Sequence, residues 1–153
     1  MAISKYVSKI NYINHNQEVV FTHLSNFENL GNYISEGLLD KISAVVPQIK
    51  ITEFESDRDS CRFKVSGLGL ANIRIIEREP FKTIKVEGGG NLPLGFTFWI
   101  QLVPEAESST KMRLTLHADM NMMIKMMLGD KLDAGLNQLA ATLAGLPYEK
   151  SVK

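Results

Sequence analysis

Through the middle of the chain, hydrophobic and polar positions alternate with a period of two, and towards both ends that period gives way to the 3.6 of a helix. Residues 5–13 (Lys5 to Ile13) are rich in Tyr, Val and Ile and predict a first strand. Asn14-His15-Asn16 then offers capping side chains in front of Gln17-Glu18-Val19-Val20-Phe21, where Val20, Phe21 and Leu24 recur at helical spacing. A further helical turn is expected around Phe27 to Ile34. Gly31 and Gly37 loosen this segment, so two short helices are predicted rather than one long one.

From Gln48 onward the strand period takes over. Cys61, Phe63 and Val65 alternate with Arg62, Lys64 and Ser66, Ile73 and Ile75 with Asn72 and Arg74, and Ile84 and Val86 with Thr83, Lys85 and Glu87. Phe96, Phe98, Ile100 and Leu102 form the next row, followed by Met112, Leu114, Leu116, Ala118 and Met120. Turn residues separate the rows at Ser56-Asp57-Arg58-Asp59, Gly67-Leu68-Gly69, Glu79-Pro80, Gly88-Gly89-Gly90 and Glu105 to Ser109. Successive strands joined by short turns pair as antiparallel neighbours, so the pattern predicts a meander with one buried face.

The last element, about Met122 to Ala144, returns to helical period. Leu128, Leu132, Leu136, Leu139 and Leu143 make one stripe, while Lys131, Asp133, Asn137 and Gln138 lie away from it. Gly145 followed by Pro147 is a helix stop. Such a helix is roughly 34 Å long, and strands of about eight residues span roughly 26 Å. The helix can therefore cross the whole sheet, with its stripe facing the five apolar rows. The fold class expected is α+β: a curved antiparallel sheet of about seven strands on one long C-terminal helix, with two short helices after the first strand, and residues 1–153 forming a single domain.

Composition changes this picture little. A chain of 153 residues suits one domain, and 44% hydrophobic with 22% charged residues is globular rather than disordered. Lys plus Arg equals Asp plus Glu at 17 each. A protein that neutralises phosphates carries a basic excess, so nucleic acid is not expected as partner. Cys61 is the single cysteine, which fits a reducing compartment. The first residues lack the apolar run of a signal peptide, and nowhere do about 18 consecutive apolar residues occur, so no membrane span and a cytoplasmic location are expected.

Order and residues together carry a resemblance. Ile13 to Asn26, through His15-Asn16-Gln17-Glu18-Val19-Val20-Phe21 and Leu24-Ser25-Asn26, resembles the opening of START-like proteins of the polyketide cyclase/dehydrase and lipid-transport superfamily. Gly129-Asp130-Lys131-Leu132 to Leu143 is similar to the closing helix of the same group. The resemblance implies the helix-grip fold, in which sheet and last helix enclose a cavity that often holds a lipid, a polyketide or another apolar molecule. Its motifs are packing patterns, and no catalytic signature of the group maps onto these residues.

Few residues suggest chemistry on their own. His117 and Asp119 stand two apart, but if Leu114, Leu116 and Ala118 point inward then Thr115, His117 and Asp119 point to solvent. His23 lies between Val19 and Phe27 on the edge of the first helix's apolar stripe; it is either a general base aimed at the interior or a boundary histidine packing its ring. His15 sits in a cap-like corner. One cysteine and three scattered histidines do not converge on a metal, and no metal or other cofactor is expected. Gly67-Leu68-Gly69 precedes a strand rather than a helix and is a hairpin turn, not a phosphate loop. Lys64, Arg74, Arg78, Lys85 and Glu87 fall on the polar face, and Trp99 joins them by parity. Met120, Met122, Met123, Met126 and Met127 make the first turns of the last helix apolar in almost every direction except at Lys125. Either that helix end is buried under the short helices, or Met123 and Met127 border the entrance to a cavity, with Gly129 marking a kink or a close backbone approach.

The function expected is binding or carrying of a small apolar molecule. Phe63, Ile73, Ile75, Ile84, Phe96, Phe98, Ile100, Leu114, Leu116, Met123, Met127, Leu132 and Leu136 are the candidate lining. A cyclase- or dehydratase-like enzyme is the alternative. It needs convergent polar groups inside the pocket, and only His23, Tyr12, Tyr33 or Asn32 could intrude there. A third reading is a protein-interaction or homodimer module, using Trp99 or the methionines as contact surface.

Overall fold

The computed structural model describes residues 3–29, 51–65, 69–90, 95–146 and 148, without the side chains at 51, 65, 127 and 128. Its strands are β1 (Ile3–Val7), β2 (Asn11–Ile13), β3 (Ile51–Ser56), β4 (Ser60–Val65), β5 (Gly69–Glu79), β6 (Thr83–Gly90), β7 (Gly95–Ala106) and β8 (Ser109–Asp119). The described helices are α1 (Gln17–Leu24) and α2 (Met122–Ala144). All strand pairs are antiparallel, in the order β1-β8-β7-β6-β5-β4-β3, with β2 also pairing β8. Residues 27–29 are helical again. The remainder of the second short helix, with Gly31, Asn32, Tyr33 and Gly37, lies outside the described residues.

Local chemistry sets the helix ends. Asn16 caps α1, its side-chain oxygen accepting from the Val19 N–H at 2.8 Å. Asn121 does the same for α2, accepting from Ile124 N–H at 2.9 Å. Gly145 closes α2, its N–H reaching back to Ala141 and Thr142 carbonyls at 3.2 Å.

The sheet curves because its strands are bulged, and each bulge turns the later side chains to the opposite face. Residues 5–13 are not one straight strand. Val7 pairs Thr115 and Asn11 pairs Met112, so one more residue separates the first pair of positions than the second. Ser8 fills the break: its N–H donates to the Leu114 carbonyl, and its hydroxyl accepts from the Leu114 N–H, both at 2.9 Å. Tyr6 and Ile13 both face inward as a result, although their spacing in an unbroken strand would put them on opposite faces.

A second bulge corrects an expectation. Ile75 pairs Val86, whereas Glu77 pairs Lys85, which leaves Ile76 extra. Arg78 is thereby opposite the inward-facing Ile84 and leaves the polar face on which simple alternation places it. Its guanidinium donates to the Ser25 carbonyl at 2.9 and 3.0 Å and to Asp59 Oδ1 at 2.7 Å. A cation on the last carbonyls of α1 ties that helix to β5 and to the β3–β4 turn. The glycines at 88–90 are a further correction: they belong to β6, opposite Ile73, Asn72 and Ala71, rather than to a hairpin connection. Gly88 has a packing reason. A Cβ there would lie 2.0 Å from Cζ of Phe96, whose ring lies across that position.

α2 lies against β8, β1 and β2. The Asn137 side chain accepts from the Lys9 N–H at 2.8 Å, supplying a partner where the β1–β2 break takes one from the ladder. One apolar cluster joins α1, through Val20, Phe21 and Leu24, to Ile84, Ile100 and Leu114 of the sheet and to Leu136, Ala140 and Leu143 of α2. The apolar rows thus face the long helix.

Candidate functional site

The inward rows are not closed along their whole length. On β7, Leu102 and Ile100 are 3% and 4% exposed, whereas Phe98 and Phe96 are only half-buried. On β8, Met112 and Leu114 are fully buried and Leu116 is half-buried. The same step occurs from Cys61 to Phe63, from Ile75 to Ile73, and, along α2, from Leu143, Ala140 and Leu136 to Leu132. Register puts these positions on neighbouring rungs, since Phe98 pairs Leu116 and Val86, and Gly88 pairs Phe96 and Ile73, with the sealed Ile75, Val86, Cys61 and Ala118 standing on the same rungs. An inward side chain that keeps accessible surface has open space beside it. The interior is therefore solid at the α1 end, open at a level spanning a few rungs around Phe63, Ile73, Phe96, Phe98, Leu116 and Leu132, and sealed again beyond it by Ala118, Met120 and Ile124.

The solid end is closed by residues that alternation does not reveal. Tyr148 is buried, its hydroxyl donating to the Leu143 carbonyl. Its ring packs on His23 at 5.1 Å and His15 at 5.7 Å. His23 is 3% exposed in this ring cluster, away from the open level. The β5–β6 turn covers α1 from outside: Phe81, at φ 66°, sets its ring edge-on to Phe21 and accepts from the Gln17 side-chain amide.

The candidate lining residues thus divide. Phe63, Ile73, Phe96, Phe98, Leu116 and Leu132 stand at the open level. Ile75, Ile84, Ile100, Leu114 and Leu136 lie in the solid cluster, where they support that level from beneath. Met127 has no described side chain. Met123 departs from expectation: it is 75% exposed, with Met122 and Met126 at 79% and 83%. In the first turns of α2, Ile124 takes the inward direction, and at about 100° per residue its predecessor turns away. Met123 therefore stands on the outer surface and lines no interior space, while Ile124 holds this helix end against Ala118 and Met120.

Two inward residues escaped the sequence pattern. Ser4 and Tyr6 face Ala118 and Leu116 across the β1–β8 ladder, while the more apolar Ile3 and Val7 point outward, 59% and 51% exposed. The apolar alternation of β1 points the wrong way, so no local signal marks them. Tyr6 packs against both apolar clusters of the interior.

The outer face matches parity. His117 lies on Trp99 at 4.6 Å, and Lys85 Nζ stands 5.7 Å from the Trp99 ring. Tyr12 is likewise outward and exposed. A depression of about 440 Å³ opens at the bulged β3 edge between Glu53, Glu55, Arg62 and Leu70, and reaches Phe63 and Ala71 of the inward rows. Cys61 is buried, and burial pushes its thiol up to about 12. Among the described residues no helix is long and apolar enough to cross a membrane, and no three His, Cys, Asp or Glu converge as metal ligands.

No protein-family model and no curated protein matches the chain. Solved structures do. The chain is similar to norcoclaurine synthase from Thalictrum flavum, with a TM-score of 0.62 and 15% identity over 97% of this chain and 88% of that one. A structure of that synthase in complex with dopamine and hydroxybenzaldehyde gives 0.63 and 14%, over 99% and 90%. The Mll3558 protein from Rhizobium loti gives 0.56 and 16%, over 92% and 96%. Likeness at such identity carries fold alone. The curved antiparallel sheet closed on a long C-terminal helix, matched over nearly the full length of these structures, is the helix-grip fold of START-like proteins, and that is the fold of this chain.

Proposed function

We propose that the protein binds or carries a small apolar molecule in the space between the sheet and α2. One observation carries this reading: on neighbouring rungs, inward-facing Phe63, Ile73, Phe96, Phe98, Leu116 and Leu132 all retain accessible surface, between a sealed end at α1 and the sealed Ala118, Met120 and Ile124. Apolar side chains left accessible inside a fold lose the benefit of burial, about 25 cal/mol for each Å². A ligand restores it. The synthase complex with dopamine and hydroxybenzaldehyde supports the reading to the extent that a chain of this shape holds small ring compounds. A ligand of about 25 heavy atoms at about 0.3 kcal/mol each would bind with roughly 7–8 kcal/mol, near micromolar, a strength suited to reversible carriage.

Native mass spectrometry of freshly purified protein is the test, together with titration of an environment-sensitive apolar dye. A co-purifying apolar molecule, or dye binding that Leu116→Arg abolishes in a folded variant, is the expected result. A bare mass with no dye uptake would overturn the reading.

A further inference from the structure

Beside the apolar rows, one half-buried hydroxyl stands without an assigned task. Tyr6 projects inward from β1 opposite Leu116 and packs against both apolar clusters. Among the described residues its hydroxyl takes part in no hydrogen bond. A half-buried phenol usually finds a partner, because leaving it without one costs free energy. Across from it, α2 carries no side chain at Gly129. A Cβ at that position would lie 3.7 Å from Tyr6 Oη and 3.4 Å from Cγ of Lys125. The Lys125 stem and the Tyr6 hydroxyl therefore meet at the same glycine, about two turns into the helix. Lys125 has no ion-pair partner among the described residues, and it is the cation within otherwise apolar turns formed by Met122, Met123, Ile124 and Met126.

A phenol O–H without a partner and the stem of an exposed lysine, meeting at one glycine beside the apolar rows, can offer two donors to one anionic oxygen pair. We infer that Tyr6 and Lys125, meeting at Gly129, form the polar end of the ligand space, and that the ligand is an apolar molecule carrying a single carboxylate. The chain of the ligand lies along Phe96, Phe98 and Leu116, and its carboxylate accepts from Tyr6 Oη and pairs with Lys125 at the rim. This rests on the reading of the interior as a ligand site and narrows it to one chemical class.

Isothermal titration with decanoate and with 1-decanol separates the two claims, because the probes share a chain and differ in the head. The wild type is expected to bind decanoate at least about tenfold more tightly, the usual worth of hydrogen bonds to a charged group. Tyr6→Phe and Lys125→Gln should each remove most of that preference, bringing decanoate affinity down towards that of 1-decanol. Thermal unfolding of Tyr6→Phe should match the wild type, since the hydroxyl removed holds nothing in the free protein. Equal affinity for both probes in the wild type, or a preference that both variants retain, overturns the carboxylate inference and leaves apolar binding standing. Binding of neither probe overturns both.

Discussion

Cys61 shows how a single side chain reports the packing around it. It sits on the inward face of β4 at 1% exposure, opposite Ile73. Burial disfavours its thiolate and raises its ionisation from the ordinary 9.0 to about 12. The folded thiol should stay unmodified by a thiolate-seeking reagent at neutral pH and react only on unfolding, which timed labelling with mass detection checks. The linkage sign follows from the raised value. Below about 9 the group is neutral in both states and its contribution is fully present; as pH climbs from 9.0 towards about 12 the unfolded chain alone ionises and stability falls. Cys61→Ser should not remove that alkaline loss if another group causes it, so persistence of the full effect in the variant would count against this assignment. Asp57, three residues before the start of β4, moves the other way. Backbone N–H groups of Asp59 and Ser60 donate to its carboxylate at 2.9 and 2.8 Å and hold its ionisation below the ordinary 3.8, so it favours the turn above that pH and loses this in acid.

At the level of elements, bulges and helix ends decide which side chains meet. Arg78 gathers the C-terminal carbonyl of α1, the β3–β4 turn and β5 into one contact, and hydrogen bonds from a charged donor are worth more than neutral ones. Arg78→Met should cost about 2 kcal/mol in urea unfolding, because the Ser25 carbonyl loses its partner. Lys85→Met, on the outer face beside Trp99, should stay within about 0.5 kcal/mol. Equal small effects would mean that the Arg78 contacts contribute little to docking α1. Much at this scale was legible in the chain. The bounds of α2, the Asn16 cap and the apolar rows of β4 to β8 follow from periodicity and capping, which are properties of neighbouring residues. The facing of Tyr6 and Arg78 was not legible, because one inserted residue inverts everything after it and nothing in Ser8 or Ile76 announces the insertion.

Over the whole molecule, the feature that matters is the step from sealed to open along the inward rows. Leu114 and Leu116 are the same residue type, two apart on one strand, facing the same way; one is fully buried and the other half-buried. Leu114→Ala should therefore cost about 3–5 kcal/mol, as truncations in solid cores do, and Leu116→Ala about 1–2 kcal/mol, since it faces space that is already open. Equilibrium denaturation of the pair measures the difference directly. Equal costs would mean that the interior is packed evenly and that no ligand space exists.

By itself the order of apolar and polar residues determined that this chain makes one long helix and an antiparallel sheet, and which rows of that sheet turn to the helix. Those are consequences of period, and period is local. Only the tertiary structure decided which of the inward residues are sealed and which remain accessible. That depends on what arrives from elsewhere in the chain: α1 held by Arg78, Tyr148 between two histidines, Phe96 lying over Gly88, Tyr6 turned in by the break at Ser8. A leucine in a strand carries no record of what will stand opposite it, so the open level became visible only once distant segments had been placed.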